Sequence, residues 1–385
     1  MGIYIRDVVK YVVLVYILSM YRILISTMHR GDNYGSALQV YALSEILKKL
    51  GHHPIVLDYI PKRINLNNQV WGLLKQLLLP KSLGDIKGAI RGLAITLTNY
   101  RCYNTFFKRE VTLTKKYYSY KEVEKANIKA NVYMTGSDQV WNSTHNHGID
   151  PVFFLKFAPA ESHKISYSAS FGKEKLDDWE KNETKKLLER YEAISVRELS
   201  GKGIVNDLGL PCQVVLDPTF LLNKEDWKKR SLSHHEKDKY VLIYSVEPDK
   251  QSVIQVARSI ADKLNAKVFM VEWGHKPYAG VDKMISLVDP LMIIDYFLKA
   301  EFVVASSFHG TALSINLCKQ FISVAPARFN TRVKSILEIV NLPDRLVSPA
   351  EFDLNKALCS INYSEVTQRL NIARENSMKF LKLNL

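Results

Sequence analysis

The sequence predicts an α/β protein of two doubly wound, Rossmann-like domains that face each other across a cleft. Three observations support this prediction. Apolar runs of strand length alternate with amphipathic helical patterns along nearly the whole chain, and Gly and Pro residues mark the boundaries between them. Such alternation is typical of parallel sheets with helices on both faces. It pauses once, in the polar segment Ser231–Lys239, and then restarts. The chain has 385 residues, which also favours two domains over one.

The first predicted unit begins with the buried strand Tyr21–Thr27, which leads into a helix near Ser36–Leu50 that Gly51 ends as a C-cap. Short apolar runs between polar turns are expected to be buried parallel strands. The other predicted segments are the strand Ile55–Tyr59, an amphipathic helical stretch over 69–110, and the strands Asn131–Thr135, Lys164–Ala169, Ala193–Val196 and Gln213–Leu216.

The second predicted unit repeats the alternation after the pause. Its predicted strands are Tyr240–Val246, Val268–Val271, Phe302–Ala305 and Phe321–Ala325. Its predicted helices are Gln251–Leu264, Pro290–Lys299 and Thr311–Leu317. A last helix near Tyr363–Leu381 is expected to pack back across the first unit.

These segments divide the chain into four parts. We expect an N-terminal extension (1–19), an N-terminal Rossmann-like domain (20–232), a C-terminal Rossmann-like domain (238–350) and a closing helical segment (351–385). Two doubly wound units across a cleft give an architecture like that of the GT-B glycosyltransferases. Because ligands in open α/β sheets bind outside the carboxyl ends of the strands, the cleft is the expected site of chemistry.

The N-terminal extension is apolar from Val8 onward and could be interpreted as a signal anchor. Met20–Thr27, however, has the pattern of a buried first strand, and a strand in the core cannot also span a bilayer. We therefore favour a misassigned start for the residues before Met20. A short helix that touches a membrane is the alternative.

The chain carries a formal net charge of +14, which suggests an anionic partner such as a phosphorylated small molecule or a membrane surface. A basic surface without any partner is the alternative. Lysines are scattered over helix faces, as at Lys181, Lys185 and Lys186, and no basic tract with interleaved aromatic residues occurs, so we expect no nucleic acid partner. The four cysteines form no CxxC pair, which argues against a zinc or iron–sulfur site and for a cytoplasmic protein with free thiols.

The motif Gly31–Ser36 follows the first strand and opens a helix. Its glycines allow the backbone to approach a ligand, and the helix N-terminus presents free N–H groups to an anion. We therefore take Asn33 as a candidate substrate contact. The alternative is a tight turn in which Asn33 or Ser36 is the N-cap. Asp58 lies near the end of the second predicted strand, at roughly the distance expected of a ribose-binding acid, but the glycine pattern of such sites is missing.

The motif Gly136–Asn142 follows another predicted strand. An aromatic face can stack on a pyranose while carboxylates and amides bind its hydroxyls, so Trp141 is a candidate sugar contact. Asp138 is a candidate general base or acceptor-orienting group. The alternative is a capped turn with a half-buried Trp141.

An arginine stands at the end of the predicted strand Ala193–Val196. Arg197 suits a carboxylate or a phosphate. The alternative is an ion pair with Glu198 or Asp217.

The segment Ser306–Thr311 combines small hydroxyl residues with His309 between a buried strand and a helix. A helix N-terminus favours the neutral imidazole and attracts phosphate, so His309 is a candidate for catalysis and Ser307 for ligand contact. The alternative is a structural histidine that caps the turn. The other histidines, among them His145 and His147, lack metal-like spacing, and we expect no metal.

Two further arginines, Arg328 and Arg332, precede a helix and form a candidate anion clamp. The alternative is a solvated loop.

Five sequence blocks in a fixed order resemble the polysaccharide pyruvyl transferase family over about residues 20 to 345. The blocks are GDNYGSALQVYAL, GSDQVWN, SYSASFG, ISVRE followed by LDPTFLL, and SSFHGTALSINLCKQFI. Each block alone is weak, whereas their order and spacing are specific to the family.

This resemblance implies a GT-B-like fold, phosphoenolpyruvate as donor and a ketal-linked pyruvate on a sugar of a bacterial surface polysaccharide. It implies no metal or organic cofactor. The histidine of the family matches His309, and an arginine of its fourth block matches Arg197. Many members carry an arginine where this chain has Ser307, and Arg328 or Arg332 would supply the missing anion contact.

The acceptor sugar is either free or linked to a lipid, which places the protein in the cytoplasm or at the inner face of the membrane, there with peripheral membrane association. Two alternative functions stay open. One is a GT-B glycosyltransferase that uses a nucleotide sugar, since a fold does not fix a function. The other is a non-enzymatic, membrane-associated partner in polysaccharide assembly.

Overall fold

The computed structural model describes residues 20–31, 33–61, 64, 66–79, 82–246, 250–272, 278–325 and 331–385. Two predictions fall outside these ranges: the N-terminal extension over 1–19, and Arg328 as part of an anion clamp.

The first sheet is parallel and four-stranded, with the spatial order β2-β1-β3-β4. A short parallel pair, β5 and β6, follows beyond β4 through a bridge between Ile165 and Ala193. The strands are β1 (Arg22–Ser26), β2 (His53–Val56), β3 (Val132–Thr135), β4 (His163–Ser166), β5 (Ser195–Val196) and β6 (Gln213–Val214).

The second sheet is parallel and six-stranded, with the order β12-β11-β10-β7-β8-β9. Counted from β7, this is the order 3-2-1-4-5-6 of a dinucleotide-binding Rossmann sheet. The strands are β7 (Tyr240–Tyr244), β8 (Lys267–Val271), β9 (Lys283–Ile285), β10 (Phe302–Ala305), β11 (Phe321–Val324) and β12 (Leu346–Val347).

Helices connect the strands in both units, so the predicted class of two Rossmann-like, GT-B-like units is confirmed. The helices are α1 (Tyr34–Lys49), α2 (Leu66–Leu78), α3 (Leu83–Glu110), α4 (Tyr120–Ala126), α5 (Ser143–Asn146), α6 (Asp178–Leu188), α7 (Leu199–Asp207), α8 (Lys224–Arg230), α9 (Gln251–Leu264), α10 (Pro290–Lys299), α11 (Phe308–Asn316), α12 (Thr331–Ile339), α13 (Leu354–Leu358) and α14 (Tyr363–Leu383).

The stretch 69–110, which the sequence predicts as amphipathic and helical, consists of two helices that pack against each other as a hairpin. The second helix starts at a local signal, because the Ser82 hydroxyl accepts a hydrogen bond from the backbone N–H of Asp85. The helices pack closely at Gly92, where a Cβ would lie 2.9 Å from a methyl carbon of Leu73. Several large apolar side chains of this hairpin are exposed.

The largest hydrophobic core joins the two sheets. Ile23 and Ile25 of β1 belong to the same buried cluster as Leu242 of β7 and Val303 of β10. Helix α1 contributes most of its side chains to this cluster and is buried along nearly its whole length.

The closing helix α14 contacts residues that precede the pause at Ser231. The Ser377 hydroxyl accepts a hydrogen bond from the Leu216 N–H at 2.9 Å, and Arg374 donates to the Phe220 carbonyl at 2.7 Å. Over the described ranges, no helix is both long enough and apolar enough to cross a membrane.

Candidate functional site

The strand order of each sheet reverses at one point, between β1 and β3 in the first sheet and between β7 and β10 in the second. Ligands of doubly wound folds bind outside the carboxyl ends of the strands at such points. Both points open onto a single cavity of about 260 Å³. Its wall includes Arg30, Asn33, Ser36 and Asp138 from the first unit and Tyr244, Ser306, Ser307, His309 and Arg332 from the second.

His309 lies in this wall as the second residue of α11. The turn after β10 is fixed by Ser307, whose hydroxyl accepts a hydrogen bond from the Gly310 N–H at 3.1 Å. Burial lowers the pKa of His309, and the carboxylates of Asp217 and Asp138 oppose that shift only in part. The imidazole is therefore neutral near pH 7, and burial is the main cause.

The His309 ring packs directly on the backbone of Gly35, at the start of α1. A Cβ at Gly35 would lie 2.3 Å from both Cγ and Nδ1 of the ring. Only glycine leaves room for this contact, so a residue of the first unit holds the histidine of the second.

Asp217 lies behind His309 and connects the buried polar groups. One carboxylate oxygen accepts hydrogen bonds from the Ser137 hydroxyl at 2.7 Å and from Arg197 at 3.0 Å, and it lies 3.8 Å from Nε2 of His309. The other accepts from the hydroxyl and the N–H of Thr219. Burial alone would raise the pKa of Asp217, but His309, Arg197 and Thr219 outweigh it and lower the pKa.

Arg197 is buried behind the cavity wall, with its side chain 1% exposed. It pairs with Asp217, lies 3.6 Å from Asp138 and stacks its guanidinium over Phe308, 4.2 Å from the ring centroid. Among the described residues, no hydrogen-bond acceptor reaches its Nε or Nη2. The predicted contact between Arg197 and a donor anion is therefore corrected to the alternative, an ion pair with Asp217.

Asp138 directs its carboxylate into the cavity from a left-handed backbone conformation with φ +78°, which Asp tolerates better than most residues. Its oxygens accept hydrogen bonds from the Ser36 hydroxyl at 2.5 Å and the Gln139 N–H at 2.8 Å. Burial would raise the pKa of Asp138, but Arg197, His309 and Ser36 outweigh it and hold the pKa well below its usual range. So weak a base is better suited to orienting a hydroxyl than to deprotonating it.

Asn33 and Ser307 both line the cavity, and both are N-caps. The Asn33 amide oxygen accepts hydrogen bonds from the N–H groups of Gly35 and Ser36, as Ser307 does for Gly310. Their side-chain oxygens are therefore committed to the helices. What they bring to the cavity is the N-terminus of a helix on each side, which favours an anion.

Arg332 lies in the first turn of α12 and lines the cavity from the second unit. Its positive charge lowers the pKa of both Asp138 and His309. Of the predicted clamp arginines, Arg332 is placed in the cavity wall.

Trp141 does not reach the cavity. It is 2% exposed, its ring stacks on Phe154 with 5.4 Å between centroids, and its indole N–H donates to the Phe153 carbonyl. Phe171 covers it further. The predicted sugar contact of Trp141 is therefore corrected: the ring is part of the core.

The sequence analysis did not identify Arg30, and it did not predict that Asp58 forms an ion pair. The Arg30 guanidinium donates two hydrogen bonds to the Asp58 carboxylate, at 2.9 and 2.6 Å, and His29 lies 3.2 Å from the same carboxylate. Burial would raise the pKa of Asp58, but these hydrogen bonds outweigh it and lower the pKa. A signal was present, because Arg30 follows the first predicted strand and Asp58 lies near the end of the second.

A second, more open cavity of about 670 Å³ adjoins the first. The two share the short helix α5, since His145 lines the first cavity while Asn146 and His147 line the second. The far wall of the second cavity is formed by Tyr118 and Tyr120. Within the ranges that the structure describes, no group of three His, Cys, Asp or Glu side chains could hold a metal ion.

Comparison with known proteins gives one family and one fold. The profile of the family described as "Polysaccharide pyruvyl transferase" matches residues 33–328. No curated protein matches the chain by sequence.

Solved structures match over almost the whole chain at low identity. A complex of S. aureus MnaA with UDP is 9% identical, with 91% of this chain and 87% of that chain covered and a TM-score of 0.50. A UDP-N-acetylglucosamine 2-epimerase is 11% identical, with 94% of each chain covered and a TM-score of 0.50. An alpha-glucosyltransferase in complex with UDP and DNA is 9% identical, with 94% and 95% covered and a TM-score of 0.47.

Proposed function

Because this chain belongs to the polysaccharide pyruvyl transferase family, we propose that it transfers pyruvate from phosphoenolpyruvate to a sugar of a surface polysaccharide as a ketal. The observation that carries the proposal is the cavity where both strand-order reversals meet. That cavity combines a neutral histidine, a carboxylate of low pKa, an arginine and two helix N-termini. Phosphoenolpyruvate needs positive groups for its carboxylate and phosphate and a proton carrier for its methylene carbon.

The donor anions are assigned to Arg332 and to the N-termini of α1 and α11. A helix N-terminus and an arginine are both preferred anion partners, and helix N-termini bind phosphate without side-chain charge. This arrangement supplies what Ser307 does not, at the position where many members of the family carry an arginine.

The chemistry is assigned to His309. The neutral imidazole accepts a proton from one sugar hydroxyl and delivers it to the methylene carbon of the donor, while the hydroxyl oxygen bonds to the central carbon. A second hydroxyl then displaces phosphate and completes the ketal, and its proton leaves with the phosphate as HPO4²⁻. Asp217 faces Nε2 of His309 and stabilises the imidazolium between these transfers, and Asp138 orients the acceptor.

The acceptor chain is assigned to the second cavity, because consecutive residues at the end of α5 line the two cavities. Tyr118 is 40% exposed there, and exposed aromatic rings suit the apolar faces of sugars. Asp150 lies at its edge and holds the Tyr59 hydroxyl at 3.0 Å.

The test is incubation of the full-length protein with phosphoenolpyruvate and a panel of oligosaccharides. We expect phosphate release together with a sugar product whose mass has increased by one pyruvate ketal. A hexose added from a nucleotide sugar would instead establish the glycosyltransferase alternative. Failure to turn over or bind either donor would leave the non-enzymatic alternative.

The same assay tests the donor contact. Arg332→Ala is expected to raise KM for phosphoenolpyruvate about tenfold or more, because a charge-assisted hydrogen bond contributes roughly 1.5–3 kcal/mol. KM for the sugar should change little. Arg369→Ala, an exposed arginine paired with Glu365 on α14, is the control and should leave both constants unchanged.

Gly35→Ala tests the contact that holds the histidine. The new methyl group would displace the His309 ring, and a misplacement of about 1 Å costs roughly a hundredfold in turnover. Gly88→Ala is the matched control, since no atom lies within 4 Å of a Cβ at that helical position. Normal turnover in Gly35→Ala would show that the ring position is not critical.

A further inference from the structure

The hairpin of α2 and α3 exposes apolar side chains to an unusual degree. Six of the thirteen strongly exposed large apolar residues among the described ranges lie between Trp71 and Leu97. They are Trp71 (60% exposed), Leu78 (72%), Leu79 (80%), Leu83 (80%), Ile90 (57%) and Leu97 (43%). A concentration of this kind on one element marks an interaction surface.

These side chains fall into one stripe on each helix of the hairpin, and Leu78, Leu79 and Leu83 lie near its tip. Leu83, Ile90 and Leu97 are each seven residues apart, which is close to two helical turns and places them on one face of α3. Trp71 and Leu78 have the same spacing on α2. The apolar side chains that hold the two helices together are different ones, such as Leu73 against Gly92, so the stripes are not used within the hairpin.

The charge of the hairpin indicates which kind of partner binds it. From Leu66 to Arg101 the sequence has five basic residues and one acidic residue. Lys75 lies one turn from Trp71, and Lys87 and Arg91 lie one to two turns from Leu83, all of them exposed. Basic residues beside an exposed apolar stripe are the pattern of helices that lie in the interface of an anionic bilayer.

A second copy of the chain fits this surface less well. In a symmetric dimer this patch would face the same patch of the second copy, which would bring the basic residues of both copies into one interface. Anionic headgroups neutralise those charges instead. We propose that the α2–α3 hairpin docks the protein on an anionic phospholipid surface, with Leu78, Leu79 and Leu83 in the acyl boundary.

The hairpin is firmly connected to the cavity. The carboxyl-terminal half of α3 is anchored in the core by Tyr103, Phe106 and Phe107. Phe107 stacks under the guanidinium of Arg30, a cavity residue, at 5.1 Å. Docking through the tip would therefore hold the cavity at a fixed distance from the bilayer, whatever donor the enzyme uses.

The first experiment is co-sedimentation of the full-length protein with vesicles of phosphatidylglycerol or of phosphatidylcholine. We expect binding to phosphatidylglycerol, and about a tenfold loss or more when Leu78, Leu79 and Leu83 are all changed to Gln, given the apolar area that each leucine buries. The matched control changes Leu199, Ile372 and Leu383, which are exposed elsewhere, to Gln and should bind like the parent. Equal binding by the tip variant would overturn the proposal, as would a dimer that only the tip variant abolishes.

The second experiment locates the insertion, because residues outside the hairpin could also bind lipid. Bromine-labelled acyl chains should quench the fluorescence of the parent, and Trp71→Phe should lose most of that quenching while it still sediments. Trp179→Phe is the control, since Trp179 is 62% exposed outside the hairpin. Undiminished quenching in Trp71→Phe would show that the hairpin does not insert.

Discussion

Replacing His309 by Gln is expected to lower turnover about a hundred- to ten-thousand-fold, because proton transfer by a positioned side chain contributes that factor. The amide preserves size and hydrogen bonding but cannot exchange a proton, so it should be nearly as poor as Ala. KM for phosphoenolpyruvate should stay almost constant. His234→Gln is the control: that histidine is also buried, but it stacks on Tyr296 away from the cavity and its loss should affect stability more than turnover.

The pH dependence of folding stability provides a second test of the His309→Gln variant. Burial holds the pKa of His309 below its usual 6.5. An unfolded chain binds a proton at this position near pH 6.5 while the folded protein does not, so the parent loses stability as pH falls from there towards the lower, folded pKa. The Gln variant should lack the decrease in stability that protonation of this histidine causes. If His309→Gln keeps most of its turnover, His309 only binds the ligand or caps the helix, and another residue must carry the proton.

Replacing Arg197 by Ala is expected to cost about 3–5 kcal/mol of unfolding free energy, because it removes one partner of a buried ion pair. Asp217 and Asp138 would be left buried without this guanidinium, and Phe308 would lose the cation above its ring. Urea unfolding of the parent and the variant measures the difference. Arg369→Ala, in an exposed pair, should cost no more than about 0.5 kcal/mol.

The way in which the stability deficit of Arg197→Ala changes with pH tests whether the lost ion pairs cause it. Arg197 helps to hold the pKa of Asp138 and Asp217 low, so its contribution is present above about pH 4 and is lost as pH falls through the folded pKa values. The deficit of Arg197→Ala should therefore shrink at acid pH. An unchanged stability with a raised KM for the donor would contradict this placement and show that Arg197 reaches the donor directly.

Local patterns predicted the bounds of several elements. The strand Phe302–Ala305 and the helices Gln251–Leu264 and Pro290–Lys299 have the predicted bounds, because an apolar period ends there at a local stop or starts at a signal such as Asp289 before Pro290. The position of His309 and Asp138 in the cavity wall could also be predicted in this way, since each follows a buried strand at the carboxyl edge of a sheet.

Long-range partners could not be predicted. Trp141 has the sequence context of a binding residue, but Phe154, Phe171 and Tyr191 cover it. No feature of the neighbouring sequence predicts this burial. The pairing of Arg197 with Asp217 stood as one of two alternatives because a strand-end arginine has the same pattern whether it faces a ligand or a carboxylate.

The core that joins Ile23 and Ile25 to Leu242 and Val303 has a consequence for how such a protein can change in evolution. Neither half ends at a polar boundary of its own, so a recombination event that exchanged one half for a distant counterpart would expose part of this core. The contact of Gly35 with His309 adds a second constraint across the same junction. A half taken from a distant counterpart would therefore fold well only if its side of this junction were repacked to match the other half.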